Sequence, residues 1–246
     1  MNRAAASLTL ALAITAGCSS QSSRLTDTNP PQGDTVRIAF QDGISPAPAY
    51  NGTRDALLKD GPIWEIRNGN FGTIASDTLG SVELPDTPYE RRYIIKMDLS
   101  YVVGCLRVLE ARLILRIDQG TTGALTLNAH EVVVPALITG SWPEGSGTLA
   151  SGVSWHAVDG VTPWDTEGGD YLPEILDYVT VGTDTVATLS LPTDLVHEWI
   201  VQPASNHGLI IRASGTVDES YRLVHTREAA VPAYRPRLEL EYLKSG

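Results

Sequence analysis

From residue 35 onward, short apolar alternations are separated by Gly, Pro, Asn and Asp, the spacing of strands that bury one face. In "TVRIAF" the period of two puts Val36, Ile38 and Phe40 on one side. "RRYIIKMDLS" turns Tyr93, Ile95, Met97 and Leu99 inward and Arg92, Ile94, Lys96 and Asp98 outward. "ARLILRI" does the same with Ala111, Leu113, Leu115 and Ile117 against Arg112, Ile114 and Arg116. "HEVVVPAL", "DTVATLSLP", "HGLIIRAS", "YRLVHT" and "RPRLELEYL" supply further strands, with Arg212 outward on the third of these. One segment has helical spacing instead: Leu195, Val196, Trp199 and Ile200 share a face over residues 194–201, with Thr193 or Asp194 available as N-cap. The pattern predicts a single all-β antiparallel sandwich over 35–246 with one short helix, and roughly 210 residues are enough for a real core.

Upstream the pattern is different. Residues 1–17 combine an early Arg3, an apolar run from Leu8 to Ile14 and small residues, too short a run to remain as a bilayer span. "TAGC" resembles the bacterial lipobox, with Thr15 in place of the usual Leu; this makes 1–17 a lipoprotein signal peptide and Cys18 the lipidated residue, an ordinary signal peptide being the alternative. Two or three acyl chains on Cys18 would anchor the protein stably in a membrane, and Ser19 resembles the context of outer-membrane lipoproteins, so the expected location is the cell envelope. Residues 18–34, nearly without apolar side chains, are expected to be a disordered tether.

Charge and cysteine content narrow the field. The chain carries 18 basic and 29 acidic residues, a formal charge of −11; without residues 1–17 it is 17 against 29, or −12. That argues against nucleic acid as a partner. With Cys18 used for lipid, Cys105 has no partner for an intramolecular disulfide.

Catalytic chemistry finds little support. "LVHEW" places His197 and Glu198 on the helix, as in zinc peptidases, but the second histidine those enzymes need four residues on is Val201 here. His197 and Glu198 are therefore expected outside, with Trp199 plugging the core. No G-x-S-x-G elbow and no phosphate-binding glycine loop occurs, and the five histidines never pair at metal-ligand spacing. Carboxylates such as Asp165 and Glu167 carry no glycosidase signature without a fold around them.

Taken in order, "YNGTRD" (50–55), "GNFG" (69–72), "RRYIIKMDLS" (91–100), "ARLILRI" (111–117), Trp142 with Glu144 and Gly145, "VSW" ending at Trp155, "PWDTEGGD" (163–170), "LVHEW" (195–199), "NHGLIIRAS" (206–214), "TREAA" (226–230) and "RPRLELEY" (235–242) resemble the DNRLRE-domain proteins grouped with carbohydrate-binding module family 96. The resemblance covers residues 36–243. It implies a jelly-roll-like β-sandwich that binds acidic polysaccharide such as alginate, or a lone adhesive or structural surface domain.

Three sets of candidate residues follow. If their strands are neighbours, Arg92, Lys96, Arg112, Arg116 and Arg212 form a basic stripe for uronate carboxylates; otherwise they pair with Asp98, Glu239 or Glu241. Trp164 and Tyr171, in a glycine-rich loop, are candidate stacking platforms for sugar rings, whereas Trp142 and Trp155 are expected in the core. Asp159, Asp165, Glu167 and Asp170 are oxygen ligands of the kind a structural Ca²⁺ takes, although their spacing matches no EF-hand; no cofactor is required. The expected function is non-catalytic polysaccharide binding at the cell surface. The rivals are a structural or adhesive envelope domain contacting other proteins and, more remotely, a lyase or hydrolase.

Overall fold

The structure is a computed structural model that describes residues 33–85, 87–121, 123–138, 140–214 and 219–246. Cys18 and the expected signal peptide lie outside the described residues, as does the expected tether except for Gly33 and Asp34. Among the described residues, eleven strands run in the order β1 (Asp34–Phe40), β2 (Thr53–Lys59), β3 (Ser76–Glu83), β4 (Pro88–Met97), β5 (Cys105–Asp118), β6 (Leu125–Glu131), β7 (Asp177–Val181), β8 (Val186–Ser190), β9 (Leu209–Ala213), β10 (Ser220–His225) and β11 (Arg237–Lys244). A single turn of helix, α1 (Trp64–Arg67), follows β2, and α2 (Thr193–Val201) follows β8.

All strand pairs are antiparallel. β1-β11-β5-β8 make a four-stranded layer, and β2, β3, β4, β6, β7, β9 and β10 make the opposing one. The far end of β5 joins them, where Ile117 pairs with Val224 of β10. This is the all-β sandwich that the alternation predicts. Between the layers lies one apolar core holding the predicted inward sets, Tyr93, Ile95, Met97 and Leu99 together with Ala111, Leu113, Leu115 and Ile117. Each fully buried aliphatic side chain there contributes about 1.5–3 kcal/mol. The predicted helix closes one end, with Val196 and Trp199 buried and Glu198 exposed.

The structure departs from expectation on the outer side of the seven-stranded layer. Ile94, read as outward, is fully buried, and Arg92 is 7 % exposed. A second apolar cluster sits there, made of Ala56, Leu58, Ile94 and Ile210 from the sheet and Val132, Trp142, Val153, Trp155, Val158 and Trp164 from the chain between β6 and β7. "HEVVVPAL" is strand only to Glu131; the rest of it enters this cover. The central strands of this layer are therefore buried on both faces, whereas among the described residues the outer face of the four-stranded layer has no such covering segment.

Candidate functional site

The cover decides what the predicted sugar-binding residues do. Arg92 donates to the Gly168 carbonyl at 2.8 Å and to Glu90 Oε2 at 2.6 Å, with its guanidinium 4.8 Å from the Trp155 ring. Gly168 has φ +89°, and a Cβ there would lie 2.6 Å from Arg92 Nη1, so glycine is what lets the loop close over the guanidinium. Arg212 donates to the other Glu90 oxygen at 2.9 Å and to the Tyr171 hydroxyl at 2.5 Å. Tyr171 lies between the two arginines, 5.5 and 5.6 Å from them. One carboxylate thus clamps two guanidinium groups under a roof. Lys96 is 5.6 Å from the Trp142 ring, and burial, followed by repulsion from Arg54, lowers its ammonium to about 8.

Trp164 is 4 % exposed and donates its indole N–H to the Ser154 carbonyl at 3.0 Å, so it is a core residue of the cover rather than a bare platform. Trp142 and Trp155 are buried, as expected.

Arg112 and Arg116 lie on the other layer, so the five cations do not form one stripe. Here, among the described residues, the outer face is largely open, with the Arg37 side chain 82 % and that of Arg116 29 % exposed. Arg37 on β1, Arg237 on β11, and Arg112 and Arg116 on β5 alternate with carboxylates: Arg37–Glu241 at 2.7 Å, Arg112–Glu239 at 3.2 Å, Arg112–Glu110 at 3.3 Å, Arg237–Glu239 at 3.0 Å and Arg116–Asp118 at 3.6 Å. Strand register causes this, since Arg37 stands opposite Glu241 and Arg112 opposite Glu239. At the end of the row the Arg116 guanidinium lies 4.8 Å from the ring of Tyr234, which is 36 % exposed. Shallow hollows open over Arg37, Arg112 and Leu240, and over Ile114, Arg116, Val186 and Arg237. Arg37, Arg237 and Tyr234 were not singled out from sequence. Their signal was the same period of two in "TVRIAF" and "RPRLELEY", which puts Arg37 and Arg237 outward.

The loop acids do not gather around one point. Asp159 accepts the Val161 and Thr162 backbone N–H groups at 2.9 and 2.6 Å, and Asp170 accepts those of Asp165 and Thr166 at 2.8 and 2.7 Å, so both stabilise turns. Glu167 pairs with Arg67 and with His156 at 3.0 Å. Among the described residues, the one cluster of three potential ligands from His, Cys, Asp or Glu is Asp55, Glu144 and Glu228. On α2, His197 Nδ1 lies 3.7 Å from the sulfur of half-buried Cys105, whose thiol burial pushes up.

No protein-family model matches the chain, and no counterpart is found among curated proteins.

Proposed function

We propose that the protein is a non-catalytic polysaccharide-binding module, held at the cell envelope through Cys18, and that its ligand lies along the open outer face of the four-stranded layer. The observation that carries this reading is the arginine row of that face, the exposed side chains of Arg37, Arg237 and Arg112 followed by half-buried Arg116 beneath the exposed Tyr234 ring. A polysaccharide is a long ligand that suits a long, shallow surface. Arginine offers bidentate bonds to uronate carboxylates, and an exposed ring stacks on a sugar face.

Energetics favour this face over the covered one. Opening an exposed ion pair such as Arg112–Glu239 costs about 0.2–1 kcal/mol, so a uronate can replace the glutamate with little penalty. Separating Arg92, whose side chain is 8 % exposed, from Glu90, 13 % exposed, would strand buried charge at about 3–5 kcal/mol. The resemblance to DNRLRE-domain proteins supports an acidic glycan as the ligand class.

Affinity electrophoresis tests the proposal. Alginate in the gel should retard the protein, neutral glucan should not, and both high salt and the Arg112→Ala/Arg116→Ala double substitution should abolish the retardation. Equal retardation by the two glycans, or none by alginate, overturns the reading.

A further inference from the structure

At the free edge of β2, carboxylates from three distant parts of the chain meet. Asp55 comes from β2, Glu144 from the covering segment and Glu228 from the turn after β10; one oxygen from each lies within 4.8 Å of the other two. Asp55 is fully buried. Its Oδ2 accepts the Tyr93 hydroxyl and, at 2.8 Å, the Arg227 backbone N–H. Its Oδ1 is buried with no hydrogen-bond donor. Glu144 accepts the Asp55 backbone N–H on Oε1 at 3.0 Å and Arg227 Nη1 on Oε2 at 2.7 Å. Arg227 Nε lies 3.1 Å from buried Asp42 and 3.4 Å from Glu228.

The charges do not balance. Among the described residues, four carboxylates (Asp42, Asp55, Glu144 and Glu228) gather around one guanidinium, that of Arg227; Arg54, on the exposed side of β2, adds a longer-range attraction to Glu144, and Arg235 donates to the Asp42 backbone carbonyl at 3.0 Å without an ion pair to these carboxylates. Leaving such charge uncompensated in a buried place costs several kcal/mol per ion. Burial accordingly pushes the Asp55 and Glu144 carboxyls up, and burial followed by the Glu144 charge raises Glu228 to about 7.

We propose that Asp55, Glu144 and Glu228 bind a hard divalent cation of the Ca²⁺ type. Carboxylates are the donors such an ion takes, and oxygens at roughly 2.4 Å from a shared ion are at most about 4.8 Å apart. Asp55 Oδ1, buried without a donor, is an acceptor whose burial a bound cation would compensate. With no histidine or thiolate in the set, zinc is disfavoured. The ion ties the β2 edge, the cover and the β10–β11 connection at one point, so it fastens the cover down. This site is separate from the arginine row, and neither proposal depends on the other.

Tyr93, hydrogen-bonded to Asp55, is placed to sensitise Tb³⁺ luminescence, which makes Tb³⁺ a usable probe for the site. The full-length protein, stripped with chelator, should show saturable Tb³⁺ emission that Ca²⁺ displaces, and Ca²⁺ should raise its Tm. Asp55→Asn and Glu228→Gln should each weaken the ion roughly tenfold or more and abolish the Tm gain. If Asp55→Asn fails to fold, Glu228→Gln, whose side chain is 26 % exposed, carries the test. No saturable binding below about 1 mM, or Ca²⁺ affinity unchanged in Glu228→Gln, overturns the proposal and leaves the carboxylates sharing protons.

Discussion

Replacing Trp164 by alanine separates the two roles a tryptophan in a glycine-rich loop could play. The side chain is 4 % exposed, packs with Ala56, Leu58, Ile94 and Ile210, and donates to the Ser154 carbonyl at 3.0 Å. Truncating a buried tryptophan removes on the order of 150–250 Å² of contact, which at about 25 cal/mol per Å² is roughly 4–6 kcal/mol of transfer free energy. Partial collapse of the loop into the space offsets some of this, and the Ser154 carbonyl left without its donor adds about 1–3 kcal/mol. The expected net loss is about 3–5 kcal/mol, the usual range for Trp→Ala in a core. For a domain of this size that is a fall in Tm of roughly 6–20 °C. Urea unfolding followed by far-UV circular dichroism gives the loss directly, and alginate retention of the still-folded fraction gives the second readout. A loss below about 1 kcal/mol accompanied by lost retention would return Trp164 to the ligand surface and refute the account of the covered face.

Two further outcomes are expected. The Lys96 ammonium is depressed, so its charged form costs stability; the cost is fully present below about pH 8 and is relieved as pH rises towards the unfolded lysine value of about 10.5. Lys96→Met should therefore be more stable at pH 7 by about 1–2 kcal/mol after allowing for solvent screening, with the advantage fading by about pH 10.5; a pH-independent difference in urea unfolding would contradict this. Arg222 is 2 % exposed and donates to the carbonyls of Gly182, Thr121, Tyr221 and Gly123. Arg222→Met strands those carbonyls and should cost about 3–5 kcal/mol in urea unfolding; a loss under about 1 kcal/mol would show that water replaces the guanidinium freely.

The inward face of each long strand was legible because a period of two needs only one side chain in two to be apolar. Exposure of the other face was not legible, because alternation says nothing of a second layer. A signal was present in the runs Ala56–Leu57–Leu58, Tyr93–Ile94–Ile95 and Leu209–Ile210–Ile211: three successive apolar residues indicate a strand buried on both faces. In register Ala56, Ile94 and Ile210 form one row beneath the cover. The cover itself has no periodicity to read, being held by tryptophans and by backbone bonds such as Trp164 N–H to the His156 carbonyl. β3 and β7 escaped notice for a related reason: "SDTLGSVE" has a glycine at its centre and few apolar residues, and "DYVTV" is short. The Asp55–Glu144–Glu228 cluster has no spacing to recognise, since its members are brought together only by the fold. The one hint was an aspartate within the apolar strand "TRDALLK".

Amide chemical-shift mapping with a short uronate oligosaccharide tests the proposed binding most directly, because it reports whether a sugar is bound and, if so, on which layer of the sandwich. The account predicts saturable, salt-sensitive shifts on β1, β5 and β11 and around Tyr234. Shifts confined to the covering segment and the strands beneath it, or none at concentrations that saturate alginate-binding modules, would contradict it.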